Sequence, residues 1–413
     1  MSGHVVVLGA GVVGASAAAF LVRNGHKVTI VDRDPPGEGC SSGNAGLFGT
    51  ASCVPSALPG ILRRVPRMLL PDGPLNLDWR YLPTLAPWLV RFIRAGSVKR
   101  IDAISRAMNA LQGPLLDAHL DLADWAKASE LIADGGKIHV WFSETSWQRD
   151  AIMRDLLRSN GIPFQSISGD EAKHLAPALR KPPKHALWFE DIRHCTDPES
   201  LIQAYVAASM KAGARFVQTE VLEVVSDEDR GGWLVTDQDT ISFDTLVVAA
   251  GVWSAAFARR LGDRVPLISQ RGYHVMNADT GVYLPRPIKC EDRKIIVTTM
   301  DKGLRVTGIA ELAPAGRPPS PSATKTLVAM AGTLLAGLPR DGWTGWMGAR
   351  PCTPDSLPVI GRSKRSDSIV YAFGHGHWGF GLGAITGRLV AQIVGGQPTD
   401  IPLQPYLPER FLT

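Results

Sequence analysis

The sequence predicts an α/β (α+β) fold, in which a Rossmann-like domain joins a discontinuous second domain built on a mixed or antiparallel sheet. Residues 5–32 follow a strand, turn, helix and strand pattern, with an apolar run at 5–8, a helical stretch at 15–24 ended by Gly25, and a second strand at 27–31. A second buried strand has its apolar run at 246–250 and opens on Gly251. Residues 266–308 alternate as strands do, which indicates the second sheet.

The remaining elements follow in chain order. Residues 35–59 are rich in Gly, Ser, Pro and Ala, which predicts a loop. Residues 61–158 are largely helical in pattern, with helices at 101–120 and 122–133, and a strand at 137–142 that follows Gly135-Gly136. A helix at 198–212 leads into a strand at 214–217, short strands follow at 221–225 and 232–236, and helices are predicted at 323–338 and 384–394. We expect residues 1–50, 190–262 and 345–413 to form the first domain, and residues 51–189 and 263–344 to form the second.

Composition narrows the class of protein. The 413 residues are 45% hydrophobic and 20% charged, as in an ordinary globular protein long enough for two domains. The net charge of +5 comes from basic residues dispersed along the chain, which argues against nucleic acid as a partner. The five cysteines lie far apart without a CxxC pair, so we expect a reducing cytoplasm and neither a disulfide framework nor a zinc site. The apolar stretch 5–22 carries three glycines at turn spacing and no preceding Lys or Arg, which argues against a signal peptide or a spanning segment.

Residues 55–95 are a local exception to the dispersed charge. Arginines are interleaved there with Leu, Ile and aromatic residues; they are Arg63, Arg64, Arg67, Arg91 and Arg94, and the aromatics are Trp79, Trp88 and Phe92. Such a segment is compatible with peripheral contact to an anionic bilayer, on the cytoplasmic face of the inner membrane. The alternative is a set of helices and loops with solvated arginines, which is favoured because arginine stems commonly cover apolar surface.

The first turn has the spacing of a dinucleotide site. Gly9 permits a tight turn, Gly11 lets the backbone approach a pyrophosphate, and Gly14 lets the helix pack closely on the strand. The helix start offers free N–H groups and a partial positive charge to phosphates. Asp32 ends the second strand, where a carboxylate accepts ribose hydroxyls and disfavours a 2′-phosphate, so NADP is not expected.

Four separate sequence motifs occur along the chain. They are the first turn with Asp32, Ser41-Ser-Gly-Asn-Ala-Gly46, Thr245-Leu-Val-Val-Ala-Ala-Gly-Val-Trp-Ser254, and Gly348-Ala-Arg-Pro-Cys-Thr-Pro-Asp355 with Pro358-Val-Ile-Gly361 and Gly374-His-Gly-His-Trp-Gly-Phe-Gly381. Their order and spacing resemble the flavoenzyme superfamily of D-amino-acid oxidase, glycine oxidase and sarcosine oxidase, and most of all its bacterial D-amino-acid dehydrogenase branch. The resemblance spans nearly the whole chain but is weak over residues 55–190. It implies FAD, because an enzyme that uses NAD has no need of the last two blocks.

The resemblance also implies which residues bind the cofactor. Expected to contact FAD are Gly9, Ala10, Gly11, Val12, Val13 and Gly14 at the pyrophosphate, Asp32 and Arg33 at the ribose, Ser41, Ser42, Asn44, Ala45 and Gly46 along the pyrophosphate and flavin, Val221 at the adenine, Ala250, Gly251 and Trp253 near the middle, and Gly376, His377, Trp378, Gly379, Phe380 and Gly381 at the flavin. Cys352 adjoins Thr353, whereas the cysteine that attaches flavin in some sarcosine oxidases lies several positions earlier, so dissociable, non-covalent FAD is expected. Trp253 and Trp378 could instead be core residues. The His375-x-His377 pair has no carboxylate or cysteine beside it, so we expect no metal.

Oxidation of an amino acid at Cα–N removes a hydride to flavin N5, and the substrate carboxylate must be held for this. An arginine fork does so best, and the resemblance places Arg350 at the clamp, with Tyr273 giving a second hydrogen bond. The alternatives are an Arg350 paired with Asp355 and a Tyr273 buried as a core aromatic. His375 and His274 are further catalytic candidates, although a substrate amine that arrives neutral needs no strong base.

Two other functions stay open: a 2-hydroxy-acid dehydrogenase of the same fold, and a non-catalytic FAD-binding partner protein. Trp79, Trp88 and Phe48 are compatible with an apolar pocket for a cyclic imino acid such as a D-proline derivative, and equally with core packing. The expected partners are therefore a small amino or imino acid and an electron acceptor, which is oxygen, a quinone or another carrier.

Overall fold

The computed structural model describes residues 3–49, 53–70, 73–227 and 231–412. Within these ranges, twelve α-helices have the following bounds: α1 Val12–Arg23, α2 Ile61–Met68, α3 Leu82–Ala95, α4 Val98–Gln112, α5 Leu115–Trp125, α6 Glu144–Arg149, α7 Ala151–Ser159, α8 Gly169–Leu175, α9 Pro198–Lys211, α10 Ser254–Arg260, α11 Pro321–Leu334 and α12 Gly379–Val394. No helix among these residues is both long enough and apolar enough to cross a membrane.

The same residues form twenty-one strands. They are β1 His4–Leu8, β2 Lys27–Asp32, β3 Leu47–Phe48, β4 Leu75–Leu77, β5 Ile132–Ala133, β6 Lys137–Trp141, β7 Gln165–Ile167, β8 His185–Phe189, β9 Arg193–Cys195, β10 Arg215–Gln218, β11 Val221–Asp227, β12 Gly231–Thr236, β13 Thr240–Phe243, β14 Thr245–Val248, β15 Ile268–Asn277, β16 Ile288–Cys290, β17 Ile295–Met300, β18 Gly303–Leu312, β19 Thr344–Cys352, β20 Val359–Arg362 and β21 Ile369–Phe373.

A six-stranded sheet carries the N-terminal unit, in the order β10-β2-β1-β14-β21-β20. Its strands are parallel except for β20, which runs antiparallel to β21. The carboxyl ends of β1, β2, β14 and β21 therefore meet at one edge, where ligands bind in open α/β sheets. Helices α1 and α12 pack closely because a Cβ added to Gly387 of α12 would lie 2.5 Å from the backbone of Ser16 in α1.

A second, nine-stranded sheet holds most of the remaining strands. Its order is β19-β15-β18-β17-β16-β6-β8-β7, with β4 pairing with β18, and most of its pairs are antiparallel. Helix α11 covers one face of this sheet, where Leu327 and Leu334 join a core with Val275 and Val306. The mixed sheet and the Rossmann-like sheet together confirm the predicted fold class.

Two details of the predicted elements were wrong. The helix predicted at 101–120 is two helices, α4 and α5, because Gly113-Pro114 interrupts it. The helix predicted at 122–133 ends at Trp125, and Ile132–Ala133 pairs as a strand with β9.

Strand β19 belongs to the nine-stranded sheet, although its residues from 345 onward were assigned to the first domain. The boundary at residues 50–51 falls outside the described residues, and the division into two domains stays a prediction.

Candidate functional site

The turn after β1 can only be made by glycine at two of its positions. Gly9 has a φ of +114°, and a Cβ there would lie 2.4 Å from the carbonyl oxygen of Ala249. A Cβ on Gly14 would lie 1.9 Å from the carbonyl oxygen of Gly9, so Gly14 lets α1 pack against the turn. Helix α1 begins at Val12, whose N–H donates to Ser41 Oγ at 3.2 Å. The turn thus leads directly into a helix start that can accept an anion.

Asp32 ends β2 beside this turn. Its carboxylate accepts hydrogen bonds from the N–H of Ala10 at 2.6 Å and of Asp34 at 3.1 Å. Burial raises the pKa of Asp32, and these N–H groups oppose the increase. Arg33 places its guanidinium 4.3 Å from the ring of Trp253, which is 46% exposed. Trp253 is therefore not a core residue, which excludes the alternative considered from the sequence.

The loop at residues 41–46 is held by side chains from the nine-stranded sheet. Arg305 of β18 donates to the carbonyl oxygens of Ser42 at 2.9 Å and Asn44 at 2.6 Å. His274 of β15 lies 3.1 Å from the carbonyl oxygen of Gly43, which makes its Nδ1 the donor. Burial, and then Arg305, lower the pKa of His274 to about 3. Arg305 was not predicted as a site residue, because no sequence motif links it to residues 261 and 263 positions earlier.

The start of α12 is fixed from behind by His119. Its Nε2 lies 3.1 Å from the carbonyl oxygen of Phe380 and 3.0 Å from that of Gly381, and its Nδ1 lies 3.2 Å from the hydroxyl of Tyr205. Burial lowers the pKa of His119 to about 4, so the ring is neutral at neutral pH. His119 was missed because its pattern is that of an ordinary position in a helix.

The two histidines before α12 have different surroundings. His375 is buried in the cavity wall, with Nε2 2.9 Å from the hydroxyl of Thr386, and burial lowers its pKa to about 3. A ring that is so weak a base argues against the catalytic part predicted for His375. His377 lines the cavity, where burial, then Arg350 and then Lys289 lower its pKa to about 3.

Arg350 lies on β19 directly across from β15. A Cβ added to Gly272 would lie 2.1 Å from Arg350 Cζ, so the guanidinium occupies the space that a side chain at position 272 would fill. Among the described residues, no carboxylate or carbonyl oxygen pairs with this guanidinium. Asp355, the alternative partner considered from the sequence, instead accepts from Arg410 at 2.8 Å. Arg350 is therefore a cation available to a ligand.

Tyr273 does not share this position. Its hydroxyl donates to Glu311 and accepts from the N–H of Ser320 at 3.0 Å, and its ring joins the core under α11. The reason is strand alternation: Gly272 faces Arg350, so its neighbour Tyr273 faces the opposite side. The prediction that Tyr273 binds a substrate carboxylate is therefore corrected: Tyr273 lies in the core.

One cavity of about 1670 Å³ connects these parts. Its wall includes most predicted site residues, namely Gly9, Ala10, Gly11, Val12, Val13, Asp32, Arg33, Ser41, Asn44, Ala45, Val221, Ala250, Gly251, Trp253, Arg350, His375, Gly376, His377, Trp378, Gly379, Phe380 and Gly381, while Gly14, Ser42, Gly46 and Tyr273 lie outside it. The helix start of α1, the carboxylate at the end of β2 and the long cavity fit an extended dinucleotide.

The wall near Arg350 also contains Trp346 and Gln270, which the sequence did not single out. Trp346 stacks on His274 with ring centroids 4.9 Å apart, and Gln270 Oε1 lies 3.8 Å from Cys352 Sγ. Trp88 donates from Nε1 to the carbonyl oxygen of Cys352 at 3.0 Å, so it is a buried wall residue rather than a surface one. Burial raises the pKa of Cys352 to about 12, which keeps the thiol protonated.

Solved structures with the same fold include glycine oxidase from Geobacillus kaustophilus. The two chains align over 100% of each, with a TM-score of 0.78 and 22% sequence identity. Iminodiacetate oxidase from Chelativorans sp. BNC1 aligns over 98% of each chain, with a TM-score of 0.73 and 20% identity. These structures establish the fold.

The sequence itself is similar to named enzymes. It is 36% identical over 422 residues to a D-amino-acid oxidase of Bradyrhizobium diazoefficiens, covering 99% of each chain. It is 31% identical over 429 residues to D-amino acid dehydrogenase 2 of Ralstonia nicotianae, covering 98% of this chain and 99% of the other. The family model described as DAO, FAD dependent oxidoreductase, matches residues 4–393. The resemblance seen in the sequence motifs is confirmed, and the chain belongs to the DAO family of FAD-dependent oxidoreductases.

Proposed function

We propose that this enzyme oxidises the Cα–N bond of a D-amino acid or imino acid to the imine, which is then hydrolysed or released. The names of the two relatives described above support an amino-acid substrate. FAD, when bound, accepts the hydride that leaves the substrate Cα. The remaining work of positioning and proton control falls to side chains of this chain.

The residues that hold FAD in this proposal are those at the carboxyl edge of the six-stranded sheet. The start of α1 takes the pyrophosphate, Asp32 takes the adenosine ribose, and the start of α12 presents backbone N–H groups to the flavin. In this proposal FAD is held without a covalent bond, because Cys352 adjoins Thr353, whereas the cysteine that attaches flavin in some sarcosine oxidases lies several positions earlier. We also propose that the first domain binds FAD and that the second domain binds the substrate.

The free guanidinium of Arg350 carries the proposal. It lies in the cavity wall without a protein anion, and a planar fork binds a carboxylate through two parallel hydrogen bonds. Such a clamp would fix the substrate carboxylate and orient Cα–H. Tyr273 is not part of the clamp, because Glu311 takes its hydroxyl.

The weak basicity of the histidines near the site favours an amine substrate over an alcohol substrate. A 2-hydroxy acid must lose its hydroxyl proton to a base, whereas a neutral amine need not. Burial lowers the pKa of His274, His375 and His377 to about 3, so these rings are poor bases. The two of these histidines that line the cavity, His375 and His377, therefore offer no effective base to the hydroxy-acid alternative.

Anaerobic bleaching of the flavin band tests the proposal. The purified enzyme is mixed with D-amino acids, L-amino acids, N-methyl amino acids and the matching 2-hydroxy acids. We expect D-amino or imino acids to bleach the flavin fastest. Faster bleaching by hydroxy acids would support the dehydrogenase alternative, and bound flavin that no substrate reduces would support a non-catalytic FAD protein.

We further propose that the surface formed by α2 and α3, together with Trp79, rests on an anionic bilayer. Large apolar side chains are exposed there, including Leu62, Trp79 and Ile93, and so are the arginines Arg63 and Arg91. Leu62, Arg63, Trp79 and Ile93 also line the cavity, so this surface borders it. The side chains of Arg64 and Arg67 lie outside the described part of the chain. Co-sedimentation with phosphatidylglycerol vesicles tests the contact, and a protein that stays in the supernatant contradicts it. Turnover with a soluble quinone against oxygen tells which of the expected electron acceptors the enzyme uses.

A further inference from the structure

The wall beside the Arg350 guanidinium follows one face of the nine-stranded sheet. The guanidinium lies over Gly272 of β15, where it fills the space that a side chain would take. Strand register places Ala310 of β18 directly opposite Gly272. Residues that pair in this way share a face, and neighbouring strands are about 5 Å apart. A ligand held by Arg350 therefore lies next to the Ala310 side chain.

Four apolar side chains continue the wall from this point. Leu312 is two residues beyond Ala310 on β18, so the two side chains face the same way. Strand β4 pairs in parallel with β18, which places Leu75 opposite Ala310 and Leu77 opposite Leu312. All four line the cavity, and we call them the apolar patch. Its far strand, β4, is two strand spacings from Gly272, which is about 10 Å.

The surroundings of the apolar patch bring no charge to the cavity. The residues of β18, β4 and α3 that line the cavity are all uncharged. Trp88 of α3 donates from Nε1 to the carbonyl oxygen of Cys352 at 3.0 Å, so only the apolar part of its ring remains for a ligand. Trp88 and Leu312 belong to one buried apolar cluster, against which Leu75 and Leu77 pack. A charged group on the patch would lose its water without gaining a partner.

The loop at residues 41–46 fixes the direction in which a substrate side chain extends. His274 of β15 and Arg305 of β18 contact this loop, which is the one proposed to follow the cofactor. From Gly272, the chain of β15 runs towards His274 on this side and towards Gln270, opposite Leu312, on the other. The apolar patch begins level with Gly272 and extends to the side away from the loop. A substrate at Arg350 thus has the cofactor on one side and the patch on the other.

We propose that the apolar patch binds the side chain of the substrate, so that this enzyme prefers D-amino acids with apolar side chains of three or more carbons. The inference rests on the proposed function, because it takes Arg350 as the clamp for the substrate carboxylate. Each carbon–carbon bond adds about 1.5 Å, so the methyl group of D-alanine reaches no further than Ala310, whereas longer side chains reach β4. Strand β4 and helix α3 lie within residues 55–190, where the motif resemblance is weak, so this selection belongs to residues outside the family motifs.

A homologous series of substrates tests the proposal. Anaerobic flavin reduction gives the rate constant and the apparent Kd for D-alanine, D-2-aminobutyrate, D-norvaline and D-norleucine. We expect the ratio of rate constant to Kd to rise about fourfold for each added methylene group, as for the burial of a CH₂ group. D-leucine should exceed D-asparagine, which has nearly the same shape, about tenfold or more, because the amide would be buried without a hydrogen-bond partner.

Substitutions on β4 show whether the patch causes this rise. Leu75→Gln and Leu77→Gln should each flatten the rise with chain length, since they place an amide where the longer side chains reach. Leu75→Ala removes apolar contact without adding a polar group and should flatten the rise to a smaller extent. The matched control is Leu412→Gln, at a leucine that is 60% exposed and lies outside the cavity wall, and it should keep the parental rise. Bound flavin in each variant, measured by its absorbance, shows that the protein is folded.

A binding measurement separates this proposal from the reaction itself. Propionate, butyrate, pentanoate and hexanoate are titrated into the oxidised holoenzyme, and the shift of the flavin band gives their Kd values. Tighter binding of the longer acids that Leu75→Gln abolishes supports the apolar patch, even if no amino acid bleaches the flavin and the proposed function fails. Affinities and rates that do not depend on chain length, or a dependence that is unchanged in all three β4 variants, would overturn the proposal.

Discussion

Gly272→Ala is the substitution that most directly tests the position of Arg350. The added Cβ would lie 2.1 Å from Arg350 Cζ, far inside van der Waals contact, so the guanidinium must move by more than about 1 Å. Displacements of this size in a positioning group cost on the order of 10²-fold in rate. The φ of Gly272 is not positive, and the colliding atoms are the end of a flexible side chain, so the fold should tolerate the change.

The assay is stopped-flow flavin reduction by the best amino-acid substrate. We expect the variant to bind FAD normally and to be reduced about 10- to 100-fold more slowly, or with a correspondingly weaker substrate Kd. Gly332→Ala in α11 is the control, because its Cβ would meet open space. A Gly272→Ala enzyme with full FAD occupancy and the parental rate and Kd would refute the assignment of Arg350 as the clamp.

Three further predictions concern single residues. Arg350→Lys keeps the charge but loses the fork, so flavin reduction should slow about tenfold or more while FAD stays bound; an unchanged rate in stopped flow would place the carboxylate elsewhere. Asp32→Ala should weaken FAD binding about 10- to 100-fold in a fluorescence titration, since a charge-assisted hydrogen bond is lost, and equal Kd values would remove Asp32 from the site. In the folded protein the pKa of His119 is lowered from 6.5 to about 4, so below pH 6.5 the unfolded chain binds a proton more readily than the folded one. The free energy of unfolding should therefore fall by about 3 kcal/mol between pH 6.5 and pH 4. Urea unfolding across this range should show a smaller loss for His119→Gln, and an identical pH slope would contradict the assignment.

The N-terminal half of the site could be predicted because its determinants are local. A tight turn, a helix start and an acid at the end of the next strand are all set by residues within one βαβ unit, and the spacing of Gly9, Gly14 and Asp32 is sufficient to indicate them. The structure places Gly9 and Asp32 in the cavity wall, and Gly14 packs against the turn beside them. The fold class followed from the same unit together with the strand-like alternation later in the chain.

The face of β15 could not be predicted in the same way. Arg271, Tyr273, His274 and Val275 are all buried, so the strand has no polar side that marks which residues face the cavity. A register shift between Gly272 and Tyr273 in the pairing with β18 adds to the ambiguity. Tyr273 was therefore assigned to the cavity side when it belongs to the core.

Two lysines that line the cavity, Lys137 and Lys289, could not be predicted for a different reason. Lys137 and Lys289 come from strands that are distant in sequence, and each lysine alone has the pattern of a solvated surface residue. Only the parallel pairing of β16 with β6 brings them together. Long-range strand order of this kind is not encoded in any short motif.

The contacts of Arg305 bear on how this scaffold can be altered. Arg305 lies in the sheet that would bind the substrate, but its guanidinium donates hydrogen bonds to two carbonyl groups of the loop that would bind the cofactor. Substrate range and cofactor retention are thus not independently adjustable. A chimera that takes its substrate-binding strands from a relative would have to supply the same two hydrogen bonds. Without them it would bind FAD more weakly than the parent enzyme.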